Sequence, residues 1–320
     1  LVDFFSREGK KLGDKASLQR QIHDITGIPH LALQGAPLSQ FNVQDRLSWV
    51  EGRQTTREED RAYSLLGIFG VQLAPLYGEG MVAAFKRLQD ELDKMDKCIQ
   101  DLHLTDPRLD KKRIEESKGG LLKDSYRWIL SNQEFLQWRD DRESHLLWVR
   151  GHPGKGKTML LCGIIDELSE SADNSNLLSY FFCQATDARI NNATAVLQGL
   201  LSLLISQHPS LISHVQKKQG PSGQSFVKDT NAWFALTEIF ADILRDPVVS
   251  DTYFVIDALD ECVTGLSKLL TFIIQSSSAR VKWIVSSRNW PHRRTSYACR
   301  SEHQPRAERR VCFNSSPILH

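Results

Sequence analysis

The chain is 320 residues long, 41% hydrophobic and 25% charged, a length that suits two domains and a composition that suits globular protein. Its 40 basic residues are matched by 39 acidic ones, which removes any bulk attraction to nucleic acid or a membrane surface, and no apolar run is long enough to span a bilayer. Cys98, Cys162, Cys183, Cys262, Cys299 and Cys312 are scattered without C-x-x-C spacing, which argues against a zinc site or a disulfide framework and sets the expectation of a reducing, cytoplasmic compartment.

From the N-terminus, the first patterned block surrounds Trp49 and runs to Phe69. Thr56 with Glu59 has capping-box spacing, so a helix is expected to begin near Arg57 with Ala62, Leu65, Leu66 and Phe69 on its inner face. Met81, Phe85, Leu88, Leu92, Met95 and Ile99 then recur at spacings of four and three, a heptad-like stripe on one long helix. Such a stripe can dimerise, but its short length favours a connecting helix docked on its own domain. Asp106-Pro107 ends this helix, because the residue before proline avoids the α region. The charged stretch 108–118, followed by Gly119-Gly120, reads as an interdomain linker.

Leu146-Leu147-Trp148-Val149 reads as a buried strand and runs into Gly151, His152, Pro153, Gly154, Lys155, Gly156, Lys157 and Thr158, which spell G-x-x-x-x-G-K-[ST]. Glycines let backbone N–H groups turn inward toward phosphate oxygens, the lysine reaches the β and γ phosphates, and the hydroxyl ligates Mg²⁺. Met159, Leu160, Leu161, Ile164, Ile165 and Leu168 follow at helical spacing, so a helix N-terminus points at the phosphates and its dipole favours the anion. Cys162 falls in the core of that helix. Positions 177–183 read as a strand, 194–206 and 232–244 as helices, and 219–224 as a flexible loop. His208 and His214 read as surface or helix-end residues, since no second ligand lies at metal spacing.

A second motif follows where Tyr253-Phe254-Val255-Ile256 runs into Asp257-Ala258-Leu259-Asp260-Glu261. A carboxylate at that strand end holds Mg²⁺ in P-loop NTPases, and a neighbouring acid orients the attacking water. Asp257 is therefore assigned to the metal together with Thr158, and Asp260 and Glu261 to water positioning, with Glu261 preferred. After a helix over 266–275, the strand 281–285 ends at Ser286-Ser287-Arg288, where the forked, permanently charged Arg288 is placed to sense the γ-phosphate. Beyond Pro291 the chain turns basic, with Arg293, Arg294, Arg300, Arg306, Arg309 and Arg310 and no apolar periodicity. This tail is expected to be unfolded, of the kind a frameshift or retained intron produces, and its sparse aromatics argue against a nucleic-acid arm.

Taken together, residues 146–288 resemble a NACHT domain, the signalling subclass of P-loop NTPases found in NOD-like receptors and fungal incompatibility proteins. The resemblance rests on the phosphate loop, on Asp257-Ala258-Leu259-Asp260-Glu261-Cys262 and on Trp283-Ile284-Val285-Ser286-Ser287-Arg288; residues 118–130 are similar to the lead-in helix of the fungal members. The run Thr55-Thr56-Arg57-Glu58-Glu59-Asp60-Arg61-Ala62-Tyr63, followed by Pro75-Leu76-Tyr77-Gly78-Glu79-Gly80, resembles the C-terminal end of a heterokaryon-incompatibility (HET) domain.

The resemblance implies an α/β P-loop NTPase, a parallel sheet with helices on both faces, preceded by a partial α/β HET region and a helical linker. The expected division is 1–80 for the HET-like part, 81–117 for the connector, 118–290 for the nucleotide domain and 291–320 for the tail. It implies ATP or GTP with Mg²⁺ as ligands, slow hydrolysis used as a switch, and self-association or other incompatibility proteins as partners, with neither nucleic acid nor membrane. Two other readings stay open: a P-loop phosphotransferase, which needs an acceptor pocket and a lid, and an inactive remnant acting through interactions alone.

Overall fold

Four segments are rich in Val, Ile, Leu and aromatics with no polar alternation, the pattern of strands covered on both faces. In the computed structural model, which describes residues 2–36, 38, 41–171, 176–218, 227, 231–289 and the backbone of 308–312, they become β3 (Leu146–Arg150), β4 (Leu177–Phe182), β5 (Thr252–Asp257) and β6 (Val281–Ser287) of one parallel sheet. The chain divides into two compact units, Leu1–Lys97 with Ser206–Ser213, and Cys98–Ile205 with the described residues from His214 onward. The sheet belongs to the second.

Its strand order is β4-β5-β6-β3-β7, where β7 is Glu308–Cys312. Hence β6 lies between β3 and β5, and the carboxyl ends of these three strands sit side by side. One face carries Leu147, Val149, Val255 and Ile284, packed in one core with Leu160, Leu161, Ile164 and Ile165 of the helix Lys157–Ser171. On the other face Phe254 and Trp283 stack at 4.4 Å, and Phe240 and Phe272, from the helices Ala232–Arg245 and Leu266–Ser276, pack on them. The helix Ala193–Gln207 covers the same face, with Gly199 set so closely on Phe181 that a Cβ there would come within 2.3 Å of the ring. Helices thus cover both faces, as expected of an α/β P-loop fold, and each buried aromatic or aliphatic side chain contributes about 1.5–3 kcal/mol.

The sheet also buries a cation. Lys282 donates its ammonium to the carbonyls of Trp138, Arg139 and Asp141 at 2.7–2.9 Å, satisfying the end of the helix Gln133–Asp140 where the dipole is negative.

The charged stretch 108–118 is not a linker. Asp106 caps the N–H of Arg108, Pro107 takes the first helical position, and Pro107–Ser117 is a helix of the second unit. Lys111 is buried because its ammonium pairs with Glu115 one turn on and with Asp166 of the Lys157–Ser171 helix at 2.7 Å. The lead-in segment is a single turn, Lys123–Tyr126, continued by a 3-10 turn, Arg127–Ser131, rather than one helix. The Tyr126 ring lies against Gly163, where a Cβ would come within 2.2 Å of it, and its hydroxyl donates to Glu167 at 3.2 Å.

In the first unit a β1–β2 hairpin (Asp3–Phe5, Lys11–Asp14) precedes several short helices. The capping box does not form: the helix starts at Asp60, and the Glu59 carboxylate accepts instead from the N–H groups of Gly78 at 2.7 Å and Gly80 at 3.3 Å. Two short helices, Asp60–Tyr63 and Leu66–Phe69, replace the single one expected, and Leu66 is only half-buried. Tyr63 and Arg87 hold Glu79, and Arg57 lies over the Tyr77 ring, so the runs 55–63 and 75–80 dock on each other. The long helix is Met81–Leu102, whose last turn belongs to the second unit and which ends before Asp106-Pro107 as expected. Its buried stripe is Ala84, Leu88, Leu92, Met95, Cys98 and Leu102; Ile99 is exposed and Cys98 takes its place.

Among the described residues no helix is long and apolar enough to cross a membrane. Among the described residues Cys98, Cys162, Cys183 and Cys262 are buried and not in disulfides. The 219–224 loop and most of the basic tail lie outside the described residues; within the tail, Glu308–Cys312 pairs parallel to β3 where no regular element was expected.

Candidate functional site

The loop after β3 turns through two glycines at positive φ, Gly154 at 76° and Gly156 at 77°. No atom lies within 4 Å of a Cβ built at either, so backbone conformation, not crowding, requires glycine there. The helix Lys157–Ser171 starts where the loop ends, giving the loop the positive end of a helix dipole. Lys157 curls back over the loop and donates to the carbonyls of Gly151 at 2.7 Å and His152 at 3.1 Å. Burial lowers its pKa, against the pull of Asp260 and Asp257.

Asp257, at the end of β5, is 4% exposed. Burial raises its carboxyl's pKa, although the hydroxyls of Ser286 and Thr158, the Ala258 N–H and Lys157 all favour the charged form. The chain then makes a sharp turn: Ala258 has φ 52° and ψ 47°, and Leu259–Glu261 form a 3-10 turn closed by the Glu261 N–H on the Ala258 carbonyl. That turn delivers two more acids to Arg288. The Asp260 carboxylate accepts from the Arg288 N–H at 3.0 Å and pairs with its side chain at 3.3 Å, while Glu261 takes the guanidinium at 2.9 Å. The other Glu261 oxygen accepts from the Ala185 N–H at 3.0 Å, beyond the end of β4.

Lys157, Thr158, Asp257, Asp260, Glu261 and Arg288 therefore gather at the carboxyl edge of the parallel sheet, where open α/β sheets bind ligands. His152 and Lys155 are exposed on the loop; the His152 ring lies 3.5 Å from the Asn289 amide. The Thr158 hydroxyl and Asp257 carboxylate are hard oxygen donors, the set that suits Mg²⁺. Among the described residues no cluster of three His, Cys, Asp or Glu forms a cage, and Mg²⁺ held jointly with phosphates needs none.

Three participants carried no signal in the sequence. Ser286 and Ser287 stood in the motif without a role, yet Ser286 bonds Asp257 and Ser287 accepts from the Trp148 indole at 2.9 Å. Ala185 enters only through its backbone. Finding them requires the strand order, because β6 reaches Asp257 only by lying next to β5.

With the geometry described, comparison with known proteins adds the following. The family model for Nephrocystin 3, N-terminal, matches residues 124–288. Over 292 residues the chain is 60% identical to vegetative incompatibility protein HET-E-1 of Podospora anserina, an alignment that covers 91% of this chain. The chain spans 22% of the length of that relative.

Proposed function

The chain belongs to the Nephrocystin 3 N-terminal family, and on that footing we propose that it binds a nucleoside triphosphate, ATP or GTP, with Mg²⁺ and hydrolyses it slowly as a switch in incompatibility signalling. The observation that carries this reading is the convergence of the Gly154–Gly156 loop, Lys157 and the buried Asp257 at one sheet edge, with Arg288 held between Asp260 and Glu261.

In this reading the loop N–H groups and Lys157 receive the phosphates, the ammonium leaving the carbonyls of Gly151 and His152 for stronger acceptors. Thr158 and Asp257 hold Mg²⁺, which when bound supplies charge neutralisation at the β and γ phosphates. Glu261 orients the attacking water, and Asp260 supports it. Arg288 couples the γ-phosphate to the Asp257–Glu261 turn, since a phosphate that draws on its guanidinium competes with both acids. The name of the relative supports a role in vegetative incompatibility; the scattered cysteines support a cytoplasmic setting, and self-association or contact with other incompatibility proteins is the partnership we propose.

The test is equilibrium binding of labelled ATP and GTP, with Mg²⁺, to the chain and to Lys157→Ala. Lysine-dependent binding with slow turnover supports the switch. Turnover only with an added acceptor points to a phosphotransferase, and no binding by a folded chain points to a remnant.

A further inference from the structure

We propose that Ser286 is a positioning residue, one hydroxyl that sets both the Asp257 carboxylate and the turn carrying Asp260 and Glu261. The inference rests on the nucleotide reading of this edge and deepens it.

Ser286 is fully buried one residue past the last β5–β6 pair, Ile256 opposite Val285. It is also opposite Val149 of β3, so it sits between the strand that leads to the phosphate loop and the strand that ends in acid. Its hydroxyl donates to Asp257 Oδ1 and accepts from the Ala258 N–H at 2.9 Å. Only a group that is donor and acceptor at once can span a carboxylate and the next amide. Ala258 is, among the described residues, the only non-glycine residue at positive φ, a conformation that L-residues adopt reluctantly. The contact to its N–H therefore holds a strained turn. That turn aims Asp260 and Glu261 at Arg288, while the contact to Oδ1 fixes the orientation of the one buried carboxylate next to Thr158.

The experiment compares wild-type, Ser286→Ala, Ser286→Thr and the double variant Ser286→Ala/Ala258→Gly. The primary readout is the Mg²⁺ concentration that half-saturates its enhancement of triphosphate binding. Ser286→Ala should raise it about tenfold, while metal-free binding through the loop holds, and Ser286→Thr should restore it. Hydrogen exchange at the Ala258 amide, followed without nucleotide, should speed up in Ser286→Ala and recover in Ser286→Thr. Relaxing the backbone in the double variant should leave the Mg²⁺ requirement high, because glycine removes strain without re-aiming the carboxylate. An unchanged Mg²⁺ requirement in Ser286→Ala, or its full rescue by Ala258→Gly, overturns the proposal. Should wild-type itself show no Mg²⁺-dependent binding, the nucleotide reading falls and takes this one with it.

Discussion

In each unit two glycines spaced two apart, Gly78 and Gly80 in one and Gly154 and Gly156 in the other, lie at positive φ, and the two sets serve opposite ends. Gly78 at 95° and Gly80 at 81° turn their N–H groups onto Glu59, an anion of the same chain. Gly154 and Gly156 share the positive φ, yet among the described residues no carboxylate accepts from their N–H groups, and Lys157 curls back over their loop. The same conformational device is closed by an internal carboxylate in one unit and, in the function proposed above, receives an external oxyanion in the other. A glycine loop is thus a structural staple or a ligand cradle according to whether the fold supplies its own anion.

The sharpest test of that contrast is Lys157→Ala. Losing two charge-assisted hydrogen bonds to phosphate, about 2 kcal/mol each, should weaken triphosphate binding roughly a thousandfold with the fold retained, as measured by titration and thermal melting. The acids offer the next test, since Glu59 and Glu261 both accept backbone N–H groups but only Glu261 also meets Arg288. Glu261→Gln should keep triphosphate binding and slow hydrolysis about a hundredfold; normal turnover would remove its water-positioning role. At the glycines, alanine costs about 1–2 kcal/mol through the left-handed backbone alone. In Gly154→Ala that cost should appear as roughly tenfold weaker nucleotide binding, and in Gly78→Ala only as lower stability of the first unit. A Gly78→Ala chain that melts normally but binds nucleotide poorly would break the comparison.

The smallest effect is a pH dependence. The backbone N–H groups of Glu59 itself, Gly78 and Gly80 hold the Glu59 carboxyl below the usual glutamate range. Its contribution to stability is therefore present above the unfolded value of about 4.3 and is lost as pH falls through the lower folded one. Glu59→Gln should melt several degrees lower at neutral pH and lack that part of the acid-side loss, with nucleotide binding unchanged.

What was legible followed from periodicity. The four core strands could be read because both their faces are buried, leaving continuous apolar runs such as Phe254-Val255-Ile256, and the phosphate loop because its glycines serve the backbone locally. Long-range pairing was not legible. Lys111 looks like one more charge on a polar stretch until Asp166 is brought beside it. Glu59 at capping-box distance from Thr56 is drawn away by Gly78 and Gly80, a tertiary partner stronger than the local one. Ser286 acquires meaning only when β6 is known to lie between β3 and β5. Cys98 in place of Ile99 reflects a one-residue difference in where the stripe turns, which spacing alone does not resolve.

The grip on the Lys157–Ser171 helix bears on where one evolutionary module ends and a foldable one begins. The family match starts at residue 124, which retains Tyr126 on Gly163 but discards Lys111 and Ile114. A chain cut there would leave Asp166 without its ammonium and bare the core that Ile114 helps to cover. Ancestry and packing thus draw the border differently: the family match opens at the lead-in turn, whereas the packed core reaches back at least to the helix that Pro107 starts.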